Sequence, residues 1–202
     1  MDSPAGPISS RLDSLRRCEP ALRGEALLAY EPWLRLLARL GVKGRFRAKF
    51  DPSDVVQQTL LEACRDLPRF RGATEAELMA WLRQILAHVL AHEVRRYAGT
   101  QGRDVGRELS LEQALAESSR RLGEALAAPG SSPSVRAGRL ELELRLAEAL
   151  SRLPEDYREV IVLRNLEGLP HEEVARRMDR NVGAVRMLWV RALSRLRQEL
   201  GP

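Results

Sequence analysis

Cysteine, histidine, lysine and aromatic residues are all scarce in this chain. Its 202 residues include two cysteines, Cys18 and Cys64, which are too few for a disulfide framework or a cysteine-based metal site. The three histidines include no HExxH spacing, so a zinc ion would lack ligands. The sequence also contains no glycine-rich phosphate loop and no nucleophile elbow. We therefore expect no metal, no cofactor and no catalytic residue.

Long apolar runs are missing as well. No stretch approaches the roughly 20 apolar residues that a membrane-spanning helix needs. The N-terminal segment lacks the apolar core of a signal peptide. Strand-like alternation of apolar and polar residues is also absent, which predicts an all-α fold. We expect a cytoplasmic protein with no membrane insertion.

The chain is moderately basic, and arginine carries almost all of its positive charge. The 33 basic and 28 acidic residues give a net charge of +5, which permits a polyanionic partner without requiring one. Lys43 and Lys49 are the only lysines. Residues 182–202 carry four arginines against a single acid, Glu199. Positive charge is therefore concentrated near the C-terminus.

Residues 169–200 have the pattern of a short helix, a tight turn and a long arginine-bearing helix. Pro170 suits the first position of the short helix, whose predicted apolar face contains Val174, Ala175 and Met178. Asp179-Arg180-Asn181 is typical of a turn, and the Asn181 side chain can cap the next helix. This arrangement is how many proteins place a helix in the major groove of DNA.

Helical spacing divides the long helix into two faces. At about 100° per residue, one side gathers apolar residues that we expect to pack inward: Val185, Leu188, Trp189, Ala192 and Leu196. The other side is predicted to face DNA and gathers Gly183, Arg186, Met187, Val190, Arg191, Ser194 and Arg197. The alternative is that this second face is simply solvated, as on most surface helices.

The strongest break in the chain is the segment Pro-Gly-Ser-Ser-Pro-Ser at residues 129–134. It predicts two helical domains, at residues 22–100 and 139–202, joined by a connector over residues 101–138. Residues 1–21 form an N-terminal extension. Within the connector, a marginal helix is predicted from Ser110, because Ser110 and Gln113 have the spacing of a capping box, to Ala127.

The first domain is predicted to contain helices near residues 22–40, 52–67 and 75–97. The second helix begins at Asp51-Pro52-Ser53, and its predicted buried stripe is Val56, Leu60, Ala63, Cys64 and Leu67. A separate face combines an apolar residue with hydrogen-bonding and charged groups, which suits docking onto a helix of another protein. This face consists of Asp54, Gln57, Gln58, Leu61 and Arg65. Isolated exposed leucines are common, so an inert surface is the alternative.

The third helix combines a core stripe with a row of polar and aromatic residues. The stripe is Leu78, Leu82, Ile85, Leu86 and Val89. Beside it lie Trp81, Gln84, His88, His92 and Arg95, followed by Arg96 and Tyr97. Stacking and phosphate pairing make such a row suitable for single-stranded nucleic acid. A simply buried Trp81 is the alternative.

Together these segments resemble a bacterial RNA polymerase sigma factor of the extracytoplasmic-function type, over about residues 22–200. Residues 51–72 are similar to the family's core-polymerase-binding segment. Residues 80–96 resemble its promoter-melting and minus-ten-reading helix. Residues 150–168 and the following helix-turn-helix are similar to its minus-thirty-five-reading domain. Three motifs in this order are far more specific than any one of them.

The resemblance implies that residues 22–100 are sigma region 2 and residues 139–202 are sigma region 4. It implies core RNA polymerase and promoter DNA, both as duplex and as melted strand, as partners. An anti-sigma factor or another regulator is a further candidate partner. The family commonly carries asparagine and aspartate where this chain has His88 and His92, which implies a different base preference at the melted element.

The resemblance also assigns residues to each site. The implied polymerase-binding residues are Asp54, Gln57, Gln58, Leu61 and Arg65. The implied minus-ten residues are Phe70, Arg71, Trp81, Gln84, His88, His92, Arg95 and Arg96. The implied minus-thirty-five residues are Asn181, Gly183, Arg186, Met187, Val190, Arg191, Ser194 and Arg197.

Three other functions are compatible with parts of the pattern. A helix-turn-helix regulator would bind duplex DNA without polymerase, usually as a dimer on a palindrome. A helical adaptor would bind only proteins, and the arginines of its last helix would be irrelevant to DNA. A hydrolase would use a metal held by His88 and His92, which are spaced to share one ion.

Overall fold

A computed structural model of the chain describes residues 20–41, 51–98, 111–118 and 135–201. All regular secondary structure in these ranges is helical, which confirms the predicted fold class. The chain divides into two compact units, Met1–Glu117 and Ser118–Pro202. Across the described ranges, no helix combines the length and the apolar character needed to cross a membrane.

The first unit is a bundle in which α3 packs against α1, α2 and α4, and α2 also packs against α4. A short 3-10 turn, Leu67–Arg69, follows α3. The four helices are α1 (Pro20–Leu28), α2 (Glu31–Gly41), α3 (Pro52–Asp66) and α4 (Glu75–Ala98).

A single helix was expected over residues 22–40, and this expectation is wrong, because the chain breaks between α1 and α2. Pro32 lies in the first turn of α2, where it has no N–H to donate and its ring would clash with a preceding helical turn. Tyr30 sits at the break and is fully buried. Its hydroxyl donates to the Glu75 Oε1 atom of α4 at 2.7 Å, so a tertiary contact holds the break in place.

The core of the first unit is built mainly from leucines of α2 and α4. Trp33 is also buried there, and the Arg83 guanidinium lies 5.9 Å from the centre of its ring. The fully buried large apolar residues of these two helices are Trp33, Leu34, Leu37, Leu78, Met79, Leu82, Leu86 and Leu90.

Helix α3 begins where the sequence predicts. The Asp51 carboxylate caps the helix by accepting a hydrogen bond from the Ser53 backbone N–H at 2.8 Å. Hydrogen bonding to the backbone and side chain of Ser53 holds the pKa of the Asp51 carboxyl below its usual value. The cap is therefore ionised at neutral pH, as the positive end of the helix dipole favours.

The buried stripe of α3 is rotated from the predicted one. Val55, Val56, Thr59 and Ala63 are buried, whereas the predicted Leu60, Cys64 and Leu67 are only half-buried. Thr59 is tolerated inside because its hydroxyl donates to the Val55 carbonyl at 2.8 Å. A polar residue can be buried when its side chain forms a hydrogen bond within its own helix, and hydrophobic spacing alone does not identify such a residue.

Part of the predicted connector packs onto the first unit. Residues 111–118 are helical and form α5, in which Leu115 is completely buried. A Cβ atom on Gly41, at the end of α2, would lie only 2.6 Å from Leu115 Cδ2 and 3.6 Å from Leu90 Cδ1. The missing side chain at Gly41 therefore leaves the space that Leu115 fills. Ser110 and the end of the predicted helix lie outside the described residues.

The second unit contains the remaining helices, and its first one begins inside the predicted connector, at Val135. Helix α9 packs against α6, α7 and α8. A π-helical turn, Val162–Leu166, follows α7. The helices are α6 (Val135–Arg152), α7 (Glu155–Ile161), α8 (His171–Arg177) and α9 (Val182–Leu200).

The π-helical turn links the core of the second unit to its last helix. The Asn165 side chain in this turn accepts a hydrogen bond from the Trp189 indole N–H of α9 at 2.9 Å. The His171 ring contacts the Trp189 ring edge-to-face, with centroids 5.4 Å apart. After the turn, Gly168 adopts a positive φ of 72°, which reverses the chain toward α8.

Replacing Leu115 with alanine is expected to release α5 while leaving the four-helix core folded. Losing a buried leucine side chain costs about 2–5 kcal/mol, and an isolated helix of this length is not stable in water. Amide hydrogen exchange over residues 111–118 should accelerate by at least about tenfold, with little change in α4. Gln113→Ala, at an exposed position of α5, is the control. Equal exchange in the two variants would show that Leu115 does not anchor the helix.

Candidate nucleic-acid interface

The helix-turn-helix of the second unit consists of α8, a tight turn and α9. Asp179 in the turn has a φ of +50°, a conformation that aspartate tolerates better than most residues. The Asn181 side chain accepts a hydrogen bond from the Ala184 backbone N–H at 2.8 Å. The predicted turn and the predicted asparagine cap are therefore both confirmed. Val174 and Ala175 of α8 are buried, as expected.

Pro170 does not occupy the first helical position, where it was expected. Its backbone is extended, with a ψ of 154°, and it serves as the N-cap of α8. The Pro170 carbonyl accepts hydrogen bonds from the N–H groups of Glu173 and Val174, each at 3.0 Å. Proline can serve as the N-cap because the capping residue accepts hydrogen bonds through its backbone carbonyl and does not need an N–H.

The two predicted faces of α9 are separated in the structure. Val185, Ala192 and Leu196 are buried, and Leu188 and Trp189 are half-buried. Every residue predicted to face DNA is exposed: Asn181, Gly183, Arg186, Met187, Val190, Arg191, Ser194 and Arg197. Periodicity alone therefore identified which side of this helix is available to a partner.

Gly183 lies at an exposed position in the first turn of α9. A Cβ atom at this position would meet only the Asn181 Oδ1 atom, at an ordinary 3.4 Å. The fold therefore does not require glycine here, although glycine costs about 1 kcal/mol relative to alanine within a helix. Glycine at such a position suits the close approach of another molecule to the helix backbone.

Arginines of the second unit fall into two groups. Those of α8 and the turn are neutralised within the unit: Arg177 pairs with Glu167 at 2.8 Å, and Arg180 pairs with Asp156 at 2.5 Å. On α9, Arg186 has only a long contact of 3.6 Å with Glu172, between two exposed side chains. Arg191 and Arg197 make no ion pair with any described residue. Uncompensated positive charge is therefore concentrated on the outward face of α9.

The predicted polymerase-binding residues of the first unit share one exposed face of α3. Leu61 is 64% exposed, which is high for a leucine. Gln58 donates to the Glu62 carboxylate at 2.9 Å, and Arg65 donates to Asp66 at 3.3 Å. The Arg65 hydrogen bond lowers the pKa of the Asp66 carboxyl. All five predicted residues, Asp54, Gln57, Gln58, Leu61 and Arg65, are exposed.

A groove of about 520 Å³ runs between α3 and α4. Asp54 and Gln58, from the predicted polymerase-binding face, line one side of it. His88 and His92, from the predicted minus-ten face, line the other side. The remaining lining residues are Asp51, Val55, Glu62, Val89, Glu93 and Arg96. The structure thus brings together residues that the sequence assigned to two different partners.

The predicted minus-ten residues lie along one side of α4 and the loop before it. Phe70 and Trp81 are half-buried and contact each other, with ring centroids 5.0 Å apart and a tilt of 34°. Trp81 is therefore partly exposed to solvent and in contact with Phe70. Arg95 is also half-buried, whereas Arg71, Gln84, His88, His92 and Arg96 are exposed.

The loop that carries Phe70 is held by contacts that were not predicted. The Glu77 carboxylate accepts from the Ala73 and Thr74 N–H groups at 2.7 and 2.9 Å, and the Thr74 hydroxyl accepts from the Glu77 N–H at 3.3 Å. This is a capping box, and its Thr-x-x-Glu spacing was visible in the sequence. A Cβ atom on Gly72 would lie 2.3 Å from Phe70 Cζ. Glycine at 72 therefore lets the ring fold over the loop.

Metal-binding geometry is not found in the described ranges. No group of three or more histidine, cysteine, aspartate or glutamate side chains converges on a point where an ion could be held. His92 instead lies 3.6 Å from the Glu93 carboxylate. The hydrolase alternative therefore has no geometric support from these residues.

Comparison with known proteins identifies relatives for most of the chain. The family described as "Sigma-70, region 4" matches residues 143–196. The ECF RNA polymerase sigma-E factor of Haemophilus influenzae is 32% identical over 164 residues, covering 80% of this chain and 81% of that protein. The ECF RNA polymerase sigma-E factor of Escherichia coli K12 is 32% identical over 163 residues, covering 78% of each.

A solved structure is also similar to this chain. It is a complex of the sigma factor RpoE with the anti-sigma factor NepR from Bartonella quintana, aligned over 90% of this chain and 98% of that chain at 21% identity. Its TM-score of 0.31 is too low to describe how the two units of this chain are arranged.

The region 4 match contains all of α8 and most of α9, the elements whose geometry is that of a DNA-reading helix-turn-helix. The similarity to the curated relatives extends over most of the chain and is not limited to the second unit. It therefore favours the sigma factor over a regulator that shares only a helix-turn-helix. The chain belongs to the family of extracytoplasmic-function RNA polymerase sigma factors, which bind core RNA polymerase and direct transcription initiation at specific promoters.

Proposed function

We propose a division of labour among three surfaces of this sigma factor. In this proposal, residues 22–100 form sigma region 2, residues 139–202 form sigma region 4, and residues 101–138 connect them. The observation that carries the proposal is that the entire predicted reading face of α9 is exposed, on the side opposite its buried residues Val185, Ala192 and Leu196. The protein acts by binding rather than by catalysis, and it works in the cytoplasm, where polymerase and promoter DNA are found.

The exposed face of α3 is the proposed contact with core polymerase. Leu61 supplies an apolar centre, and Asp54, Gln57, Gln58 and Arg65 surround it with charged and hydrogen-bonding groups. A buried apolar anchor within a polar rim is the usual composition of a specific protein interface. The 64% exposure of Leu61 in the middle of this polar face is what a docking partner would cover.

The outward face of α9 is the proposed reader of the minus-thirty-five element. Its N-terminal turns enter the major groove, as in other helix-turn-helix proteins. Arg186, near that end, reads a base edge, because an arginine can donate two hydrogen bonds to guanine. Arg191 and Arg197 lie farther along the helix and contact phosphates, which strengthen binding without specifying sequence.

The Phe70–Trp81 pair and the polar side of α4 are the proposed minus-ten site. Arg71, Gln84, His88, His92, Arg95 and Arg96 supply hydrogen-bond donors and positive charge along that side. Aromatic rings stabilise unstacked bases, and such stacking contributes about 1–3 kcal/mol per base. This contribution offsets the few kcal/mol needed to extrude a base from the duplex.

Core polymerase makes these weak sites effective together. Each unit alone presents a small DNA-binding surface, and much of its affinity is nonspecific attraction to phosphate. Attachment of both units to one polymerase makes the second DNA contact effectively intramolecular. Promoter selection then depends on two elements at a fixed spacing, which a helix-turn-helix protein acting alone would not require.

Leu61→Asp is expected to abolish function through loss of polymerase binding. A charge placed in an apolar contact loses the burial of the leucine and must itself be desolvated, so affinity for core polymerase should fall by at least about tenfold. The measurements are co-purification with core polymerase and mapping of transcript starts in a reconstituted reaction. Leu28→Asp is the matched control, because Leu28 is the other strongly exposed leucine in the described part of the first unit.

The docking proposal is wrong if Leu61→Asp still binds polymerase as well as the control. The sigma factor reading itself would fail if the unmodified protein bound a specific duplex without polymerase and directed no transcript starts with it. That outcome would favour the helix-turn-helix regulator.

Arg186→Ala is expected to weaken promoter binding by the holoenzyme by about 1–3 kcal/mol and to relax selectivity mainly at one base pair. Competition binding against duplexes that vary each upstream position measures both effects. Arg195→Ala is the control, because Arg195 lies on the same helix but pairs with Glu199 at 2.9 Å. A uniform loss over all sequences would mean that Arg186 contacts phosphate instead of a base.

Phe70→Ala is expected to impair promoter opening more than promoter binding. The variant loses a stacking surface, so transcription from a fully paired template should fall by roughly fivefold or more. A template with mismatched strands across the minus-ten region should restore most of the activity, because its bases are already unpaired. Arg69→Ala, at the neighbouring exposed residue, should behave like the unmodified protein. Equal losses on both templates would argue against a role in melting.

A further inference from the structure

Two large apolar side chains stand exposed on the proposed reading face of α9. Met187 is 56% exposed and Val190 is 54% exposed. They are three residues apart, so they are neighbours on the helix surface. Only Leu28 and Leu61 are comparably exposed large apolar residues in the described ranges, and both belong to the first unit. The second unit therefore places its largest exposed apolar groups on one small patch.

The patch lies along the middle of the outward face. At about 100° per residue, Gly183, Met187, Val190 and Ser194 fall within a narrow stripe along the helix. Arg186 and Arg197 lie on one side of this stripe, and Arg191 lies on the other. The outward stripe of a recognition helix approaches the base edges most closely, and long side chains beside it reach either base edges or phosphates.

The flanking charges decide which partner fits. A wholly apolar protein surface seated on Met187 and Val190 would desolvate the three surrounding arginines without a counter-charge. Duplex DNA supplies phosphates for Arg191 and Arg197 and a guanine edge for Arg186. On the floor of the major groove, the apolar group that a base presents is the C5-methyl of thymine.

We propose that Met187 and Val190 select thymines in the upstream promoter element by contacting their C5-methyl groups. This inference rests on the proposed role of α9 and adds the chemical group that the apolar patch recognises. The missing side chain at exposed Gly183, one turn before Met187, allows the helix to approach the bases closely enough for such a contact. Specificity then comes from a methyl group as well as from hydrogen bonds.

The test compares thymine with uracil, which differs from it only by the missing methyl group. The holoenzyme, formed from the full chain and core polymerase, first selects its upstream element from a pool of random duplexes. The selected duplex is then synthesised with uracil in place of thymine in that element alone. Binding of both duplexes by the same holoenzyme is measured in competition.

We expect each uracil at a contacted position to lower affinity roughly fourfold, the loss expected for one buried methyl-sized group. Met187→Ala and Val190→Ala should each reduce the difference between thymine and uracil, and the double variant should abolish it. Arg195→Ala, on the same helix but outside the proposed reading face and paired with Glu199, should retain the full difference. Circular dichroism checks that all variants are folded, which their exposed positions favour.

Equal affinity of the unmodified holoenzyme for both duplexes would overturn the inference, and so would an upstream element with no thymine in either strand. A thymine preference that persists in the double variant would also overturn it, because another residue would then sense the methyl. Failure of the proposed function is distinguishable from these outcomes, since a holoenzyme without an upstream site would enrich no sequence during selection.

Discussion

Burial of one face of α9 determines which of its residues the second unit exposes. Val185, Ala192 and Leu196 pack into the unit, and any rotation of the helix about its axis would bring apolar surface into water. The opposite stripe, from Gly183 to Ser194, therefore faces solvent because the buried residues hold the helix in one orientation. The residues of this stripe take no part in that packing. They can change without disturbing the core, and this freedom allows one fold to read different promoters.

Local features of the fold were predictable, and long-range ones were not. The Asp51 and Asn181 caps depend on hydrogen bonds within three residues, so the sequence around them is sufficient. Pro32 is a local reason for the break between α1 and α2, but the bond that holds Tyr30 there is to Glu75, 45 residues away. Burial of Leu115 beside Gly41 is likewise a tertiary contact. Spacing along one helix carries no information about such partners.

The same distinction applies to the candidate sites. Exposure of the predicted polymerase-binding and upstream-reading residues followed from helical period, because each set lies opposite an apolar stripe. The contact between Phe70 and Trp81 could not be predicted, since it depends on the loop geometry set by Thr74, Glu77 and Gly72. Nor did the pattern reveal that the Trp189 indole bonds to Asn165 in a π-helical turn, which ties α9 to the core behind it.

The groove between α3 and α4 connects the two proposed roles of the first unit. Asp54 and Gln58 border the same space as His88 and His92, so the proposed polymerase-binding face and the proposed minus-ten face meet at one groove. In the proposed division of labour, a polymerase segment seated on α3 would therefore lie beside the side of α4 that is proposed to hold unpaired bases. Ion pairs and hydrogen bonds strengthen as water is removed. Under that proposal, polymerase docking and strand capture would strengthen each other through the groove that both border.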